Sequence, residues 1–500
     1  MENIVKDQFD WKGLSDEELH YIFQNVNFPL KPMRHQYVSL VFGTSKVRAS
    51  FWHDVGTGKT LSALYLAKLW GCKRTLVICP HSAFSSWRRD LRDNTNFSHS
   101  FIVGSGRERK RQLKSTKDVH VITYEGLKTL YAKLIRGEGW VIQDDSFIHG
   151  FDNIILDEDH RCGNYESLQS RICYELSRRA EHCLGMTGTL TDGSFLELFN
   201  IYRVIDMGKS LGTNFFAYRF KYFDKVVHGQ KYGRQWVEWE LKEGAEQEIL
   251  NRLSDSTLCY ERAECFDLPP VQEVVRYIPA TKEFLDFQAD VVNNRPLKIP
   301  KFGGVVTKKI KAVAHVLREL PSGFFYHGDD KFVYRLKKNP KLEALIDIIE
   351  DTSSKVVVCY WYREERVILE EGLRKAKISF CSAAGGMESD DFDAEIERFS
   401  KDRSVRVLLA QTTVASEGFD AFVATVIVFF SPVGSPKRRK QCVGRIQRKG
   451  QEKMCLVIDL VLEGSFEEKI IQNRGPRFSL VKSAMDYVRD FHKGSNEVEV

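Results

Sequence analysis

The stretch His53-Asp-Val-Gly-Thr-Gly-Lys-Thr60 follows an apolar run and precedes Leu61-Ser-Ala-Leu-Tyr-Leu-Ala-Lys-Leu-Trp70, which reads as a helix. A glycine-rich turn at a helix N-terminus can aim backbone N–H groups at a phosphate chain, and the helix dipole adds to that attraction. Gly56, Thr57 and Gly58 would form the turn, Lys59 would hold the β- and γ-phosphates, and Thr60 would hold Mg2+. His53 stands where the strict phosphate-loop pattern has glycine. Taken alone, the segment also fits an ordinary glycine-rich loop.

About a hundred residues on, Leu156-Asp-Glu-Asp-His160 follows the apolar run Asn153-Ile-Ile-Leu156, so two acids stand at the carboxyl end of an expected strand. Asp157 can hold Mg2+ through water, while Glu158 orients or deprotonates an attacking water. Acid pairs are usually surface charge; position makes this one specific. Gln441-Cys-Val-Gly-Arg-Ile-Gln-Arg-Lys-Gly-Gln451 places Arg445 and Arg448 three residues apart, so a helix would present both on one face. Two such arginines can stabilise charge on a transferred phosphoryl group, an effect on the order of 10³ to 10⁵ in rate once two lobes close. Without the other motifs, a basic surface helix would be the simpler reading.

These residues need parallel strands to carry them. Short β-branched runs followed by amphipathic stretches occur in two regions, the pattern of parallel α/β sheets buried on both faces. The first region has Thr75–Cys79, Val119–Thr123 and Asn153–Leu156; the second has Lys355–Cys359, Val405–Ala410, Thr425–Phe430 and Leu456–Leu460. In the second, Phe392, Ile396 and Phe399 predict an amphipathic helix over Asp390–Phe399. The rhythm is lost between residues 211 and 340, where aromatic and basic stretches such as Phe215–Phe223 and Thr307–Leu317 read as inserted or linking helices. The expected domains are therefore 1–210, an ATP-binding lobe; 211–340, a helical insertion and linker; 341–480, a second lobe; and 481–500, a tail.

Composition narrows the class. With 43% hydrophobic residues, 28% charged and 13 prolines among 500, the chain is globular and of multidomain length. A net charge of +6 is compatible with a polyanionic partner without demanding one. Local clusters are more pointed: Arg107–Lys117 holds six Lys or Arg against Glu108, and Lys437–Lys440 is wholly basic. The 11 cysteines form no C-x-x-C pair and have no His at metal-ligand spacing, so they read as reduced thiols. Neither a secretory leader nor a membrane span is expected, which gives an intracellular, soluble protein.

With three motifs in this order, the chain resembles the SWI/SNF-type group of superfamily-two helicases from about residue 30 to 472. Met33-Arg-His-Gln-Tyr37 resembles the group's adenine-recognising motif, carried over to Gln36, and Cys79–Trp87 resembles its strand-loop motif with a tryptophan. Thr187-Gly-Thr189 resembles the segment that links ATP state to DNA grip, Thr413–Asp420 the second-lobe motif that touches DNA and nucleotide, and Gly464–Glu468 the closing segment. The resemblance implies two RecA-like parallel-sheet lobes, ATP and Mg2+ as cofactors, and Gln441 beside Glu158, Arg445 and Arg448 in catalysis. It further implies coupling roles for His160, Thr187, Thr189, Glu417 and Gly418. The sequence departs from the group at Asp159 (commonly Ala), Gly163 (Lys), Asp420 (Asn) and Gly434-Ser435 (Trp-Asn).

The expected partner is DNA, duplex or branched, gripped through its phosphates without sequence readout. The expected activity is a DNA-dependent ATPase that translocates on DNA and remodels or branch-migrates it in replication, recombination or repair. Compact size resembles bacterial and phage members of the group, for which a monomer in the bacterial or host cytoplasm is compatible. Two other readings stand beside it. An RNA-directed helicase shares most motifs, with Trp87 and Gly450-Gln451 favouring DNA; an ATP-dependent DNA-binding switch would have lost one of Lys59, Asp157, Glu158, Arg445 or Arg448.

Overall fold

The structure is a computed structural model that describes residues 10–135, 139–142, 150–188, 195–231, 234–293, 297–299, 303–305, 310–327, 332–387, 389–417 and 419–475. The chain divides into two units, Met1–Asp267 and Leu268–Val500.

Among the described residues of the first unit, seven strands form one sheet: β1 (Arg48–His53), β2 (Thr75–Cys79), β3 (His99–Phe101), β4 (Val119–Thr123), β5 (Asn153–Asp157), β6 (His182–Thr187) and β9 (Thr257–Tyr260). β7 (Phe223–Lys231) and β8 (Arg234–Leu241) pair separately as an antiparallel hairpin. The sheet order is β9-β1-β6-β5-β2-β4-β3, with every pairing parallel. Period two explains why these strands read as continuous apolar runs. In β2, Leu76 and Ile78 enter the core on one face while Val77 and Cys79 enter the core on the other. Helices that matter below are α1 (Arg34–Thr44), α2 (Lys59–Leu69), α3 (Phe84–Asp93), α4 (Tyr124–Tyr131) and α5 (Phe215–Tyr222).

The second unit repeats the plan with β10 (Val271–Ile278), β11 (Lys355–Tyr360), β12 (Phe380–Ala383), β13 (Val407–Gln411), β14 (Ala424–Phe429) and β15 (Cys455–Leu462). Their order is β10-β15-β14-β11-β13-β12, again with all pairings parallel. Here Val356, Val358 and Tyr360 face one core and Val357 and Cys359 the other. Its helices include α6 (Pro340–Asp351), α7 (Ser389–Lys401), α8 (Thr412–Glu417), α9 (Pro436–Val443) and α10 (Phe466–Gln472). The expected fold class, two α/β lobes each on a parallel sheet, is what the structure contains, and α7 occupies the stretch expected to be helical.

The middle of the chain differs from a helical linker. Besides α5 and the helices Ala245–Leu253, Lys282–Val292 and Ile310–Glu319, residues 211–340 contain the β7–β8 hairpin, the edge strand β9 of the first sheet and the edge strand β10 of the second. The two compact units divide at 267/268, whereas the boundaries expected from the sequence are 210, 340 and 480. Edge position explains why these strands are inconspicuous: most residues of β10 are only partly covered or exposed, so no apolar run marks it.

An ion pair closes the second unit. Lys341 Nζ, on α6, donates to Glu467 Oε1 on α10 at 2.5 Å, with side chains 0% and 1% exposed. Glu467 Oε2 accepts from the Leu462 N–H at 3.1 Å, which ties both helices to the end of β15. Removing one member leaves a buried charge without compensation, whereas removing both need not. Lys341→Met is expected to destabilise the chain by about 3–5 kcal/mol. Adding Glu467→Leu should recover at least half of that loss in urea unfolding, and a single variant as stable as the parent would contradict the account.

Candidate functional site

β1 ends at His53 and α2 begins at Lys59, and the turn between them is braced on two sides. Gly58 has φ +79°, and a Cβ there would lie 2.5 Å from Gln36 Nε2, so both backbone and space require glycine. Gln36, on α1, is buried; its amide donates to Gly58 O at 3.0 Å, and its Oε1 accepts from the Met33 N–H at 2.8 Å. His35 Nε2 lies 2.7 Å from Thr57 O, and the buried Thr57 hydroxyl donates to Asp54 O at 2.9 Å. On the other side, the Asp54 N–H donates to Tyr260 O at 2.9 Å, the Arg262 N–H donates to Asp54 Oδ2 at 3.1 Å, and Arg262 Nε donates to Val55 O at 3.0 Å.

Lys59 Nζ donates to His53 O at 2.6 Å and Asp54 O at 3.2 Å, so its ammonium lies along the turn. His53 stacks on Phe51, and burial together with Lys59 holds its pKa well below the ordinary imidazole value. The ring is therefore a neutral filler at the position where the phosphate-loop pattern has glycine. Gly56 also has a positive φ, and Thr60 is half-buried in the first turn of α2.

The acids meet this turn through strand order. Asp157 closes β5, level with Met186 in β6, while Thr187 is level with Trp52 in β1. Trp87 is buried on α3, and its Nε1 donates to Asp157 Oδ2 at 2.9 Å; the Tyr124 hydroxyl donates to the Asp157 carbonyl at 3.0 Å. Burial and the neighbouring Glu158 raise the Asp157 carboxyl to about 6. Glu158 has φ 56° and ψ 56°, a left-handed conformation that costs about 1–2 kcal/mol for a residue with a Cβ. Its Oε2 accepts from the Thr187 hydroxyl at 3.4 Å and lies 3.2 Å from His160 Nδ1, which is 3.4 Å from the same hydroxyl. A Cβ on Gly188 would come within 2.9 Å of Val55 Cγ2 and 3.5 Å of Lys59 Nζ, so the end of β6 comes against the turn between β1 and α2 as well. Of the residues singled out in the sequence, Lys59, Asp157, Glu158, His160 and Thr187 are thus gathered at one edge of one sheet, with Gln36 holding the turn from outside.

Thr189 and Gly418 lie outside the described residues, and Glu417 ends α8. In the second unit Gln441 is buried on α9. The expected helical face carrying Arg445 and Arg448 is not present. α9 ends at Val443 and the chain continues in turns, with the Arg445 N–H donating to Cys442 O and the Ile446 N–H to Val443 O. Buried Arg445 reaches back to α8, donating from Nε to Ala415 O and from Nη2 to Ser416 O, both at 2.8 Å. Arg448 pairs with Asp420, which gives a partner to one of the departures noted above.

Sequence reasoning missed Arg262, which has no motif around it, and the contact that makes Trp87 a brace for Asp157. No three His, Cys, Asp or Glu side chains converge as a metal cage among the described residues. The carboxylate of Asp157 and the hydroxyl of Thr60 are hard oxygen donors, a set that suits Mg2+ shared with phosphate oxygens better than a cage of protein ligands. Among the described residues no helix is long and apolar enough to cross a membrane.

The chain matches the SNF2-related domain over residues 46–315, more than half its length, and the helicase conserved C-terminal domain over residues 340–450. It belongs to the SNF2-related family. Among relatives, this SNF2-related chain is 23% identical over 445 residues to the DNA repair and recombination protein RDH54 of Saccharomyces cerevisiae (strain JAY291), covering 82% of this chain and 46% of the yeast protein. It therefore spans less than half the length of that relative. It is 20% identical over 481 residues to the uncharacterized ATP-dependent helicase YqhH of Bacillus subtilis (strain 168), covering 90% and 80%. A solved Sulfolobus solfataricus SWI2/SNF2 ATPase core in complex with dsDNA aligns with TM-score 0.42 at 18% identity, over 89% of this chain and 91% of that one.

Asp157 makes the stability of this SNF2-related chain depend on pH. Its folded pKa, about 6, lies above the ordinary carboxylate value, so the folded chain keeps a proton that the unfolded chain releases. Stability from this group falls as pH rises from about 4 to about 6 and stays lowered above that. In the absence of nucleotide and divalent metal, Asp157→Asn should raise Tm more at pH 8 than at pH 5. An equal effect at both values would show that the buried charge is not the cause.

Proposed function

We propose that the chain is a DNA-dependent ATPase that moves along DNA by its phosphates and remodels or branch-migrates DNA structures in replication, recombination or repair. The observation that carries the reading is the convergence of Lys59, Glu158, His160 and Thr187 at the carboxyl edge of β1, β5 and β6. In this reading Lys59 exchanges the carbonyls of His53 and Asp54 for phosphate oxygens. Thr60 and Asp157 would hold Mg2+, which supplies positive charge to neutralise the phosphates. Glu158 orients the attacking water and takes its proton, and the hydrogen bond from Thr187 and the approach of His160 hold that carboxylate in place. Because His160 stands just after β5 and Thr187 ends β6, they are proposed to couple nucleotide state to DNA grip. Family membership and the repair and recombination name of the yeast relative support the choice of DNA.

Lys59→Ala and Glu158→Gln are each expected to lower ATP turnover at least about a hundredfold, with ATP binding retained in Glu158→Gln. Turnover within about threefold of the parent in either variant would remove the assignment. Comparing stimulation by duplex DNA, single strands and duplex RNA tests the partner. Duplex DNA should stimulate most, with affinity falling steeply as salt rises. Stronger stimulation by duplex RNA would overturn the DNA reading.

Arg445 and Arg448 are proposed to act in the same reaction, Arg448 by stabilising charge on the transferred phosphoryl group once it leaves Asp420. Arg448→Ala should keep ATP and DNA binding yet lose DNA-stimulated turnover by at least about a hundredfold. Unchanged turnover would return Arg448 to a purely structural pairing with Asp420.

A further inference from the structure

α5 is aromatic on two faces, and the first unit covers only one of them. Tyr218 and Tyr222 are 2% and 3% exposed in the core, with the Tyr218 hydroxyl donating to Phe195 O at 2.6 Å. Phe216 and Phe220, one turn apart, are 57% and 60% exposed. Trp239 of β8 stands beside them, meeting Phe220 edge to face at 5.6 Å between ring centroids. Arg219 lies among the rings, its guanidinium carbon 4.1 Å from the Trp239 centroid, 5.2 Å from Phe216 and 5.7 Å from Phe220. Its Nε has no hydrogen-bond partner among the described residues. Single exposed hydrophobics need no explanation, but adjoining rings held in order by a stacked cation form a continuous surface.

Charge points to the occupant. From Phe215 to Lys242 the chain carries six Lys or Arg against three Asp or Glu, with Lys221 paired to Glu248 and Lys242 to Asp224. An apolar protein face would fill the rings without using that excess, whereas a single nucleic-acid strand uses both. Its bases offer π-faces to Phe and Trp, and its phosphates are attracted to the cations. We propose that Phe216, Arg219, Phe220 and Trp239 form a stacking platform for the unpaired bases of single-stranded DNA. The platform rests on the DNA reading above and adds to it a contact that duplex DNA, with its bases stacked inside, cannot make. Stacking is indifferent to base identity, so the contact is independent of sequence.

The test uses the full chain with a fluorescent oligothymidylate of about 12 nucleotides, a matching oligouridylate and a blunt duplex. Phe216→Ala with Phe220→Ala should weaken oligothymidylate binding at least about tenfold, leave duplex affinity within about twofold and leave DNA-independent ATP turnover unchanged. Phe216→Trp with Phe220→Trp should retain or tighten oligothymidylate binding, because a larger π-face still stacks. The platform is overturned by an alanine pair that binds oligothymidylate like the parent, by an equal loss for strand and duplex, or by a tryptophan pair as weak as the alanine pair, which would mark a shape-specific protein face. Oligouridylate bound about tenfold more tightly than oligothymidylate would overturn the choice of DNA over RNA. A parent chain that binds the duplex but no single strand sinks the platform alone, whereas one that binds neither sinks the DNA reading itself.

Discussion

One strand placed between two others sets the geometry of the candidate site. β6 lies between β1, which leads into the turn before α2, and β5, which ends in the acids, and all three run parallel. Parallel strands present their carboxyl ends on one edge, so residues far apart in the chain emerge level with one another. Register does the rest, since Thr187 stands opposite Trp52 and the residue before it stands opposite Asp157. A slip of one residue in β6 would turn Thr187 to the other face and separate it from Glu158. The absence of a side chain at Gly188 then lets the end of β6 come against Val55 and Lys59.

Around that edge the protein holds its acidic groups in conformations they would not adopt alone. Asp157 is a carboxylate in a buried place, restrained by an indole N–H from a neighbouring helix, and burial and the adjacent Glu158 raise its pKa. Glu158 sits in the left-handed region, where a residue with a Cβ persists only when its surroundings over-determine it. Those surroundings are the Thr187 hydroxyl and the His160 ring on one side, and the end of a fully buried strand on the other. The turn between β1 and α2 is held in the same manner, by Gln36 and His35 from α1 and by Arg262 from beyond β9.

Residues whose spacing is local were legible in the sequence, and those whose partners are remote were not. Lys59 with its two glycines, and the acids after Asn153–Leu156, announce themselves because a tight turn or a strand end needs particular neighbours in the chain. Strands buried on both faces, such as β2 and β11, read plainly as apolar runs, whereas the edge strands β9 and β10 carry no such run. Arg262 and Asp420 show the limit. Arg262 bonds to Asp54 and Val55, more than two hundred residues away, and Asp420 pairs with Arg448, 28 residues on, and no periodicity marks such contacts. Gln36 was found through resemblance and assigned to adenine; in the structure its amide is bonded to Gly58 and Met33. The helical face expected for Arg445 and Arg448 failed for a local reason, since the helix stops at Val443 and Arg445 turns back to the carbonyls at the end of α8.

The position of β9 also determines where this molecule can be dissected. β9 is the last strand of the first sheet in chain order, it is the outer neighbour of β1, and Arg262, immediately after it, clasps the turn between β1 and α2. A fragment that stopped where the alternation of strands and helices first breaks, near residue 210, would leave one flank of β1 without its ladder and the turn without its arginine. An exchange of first units between relatives must therefore carry the sequence through Asp267. The natural seam for grafting lies in the short stretch before β10, some sixty residues beyond the point suggested by the chain's own rhythm.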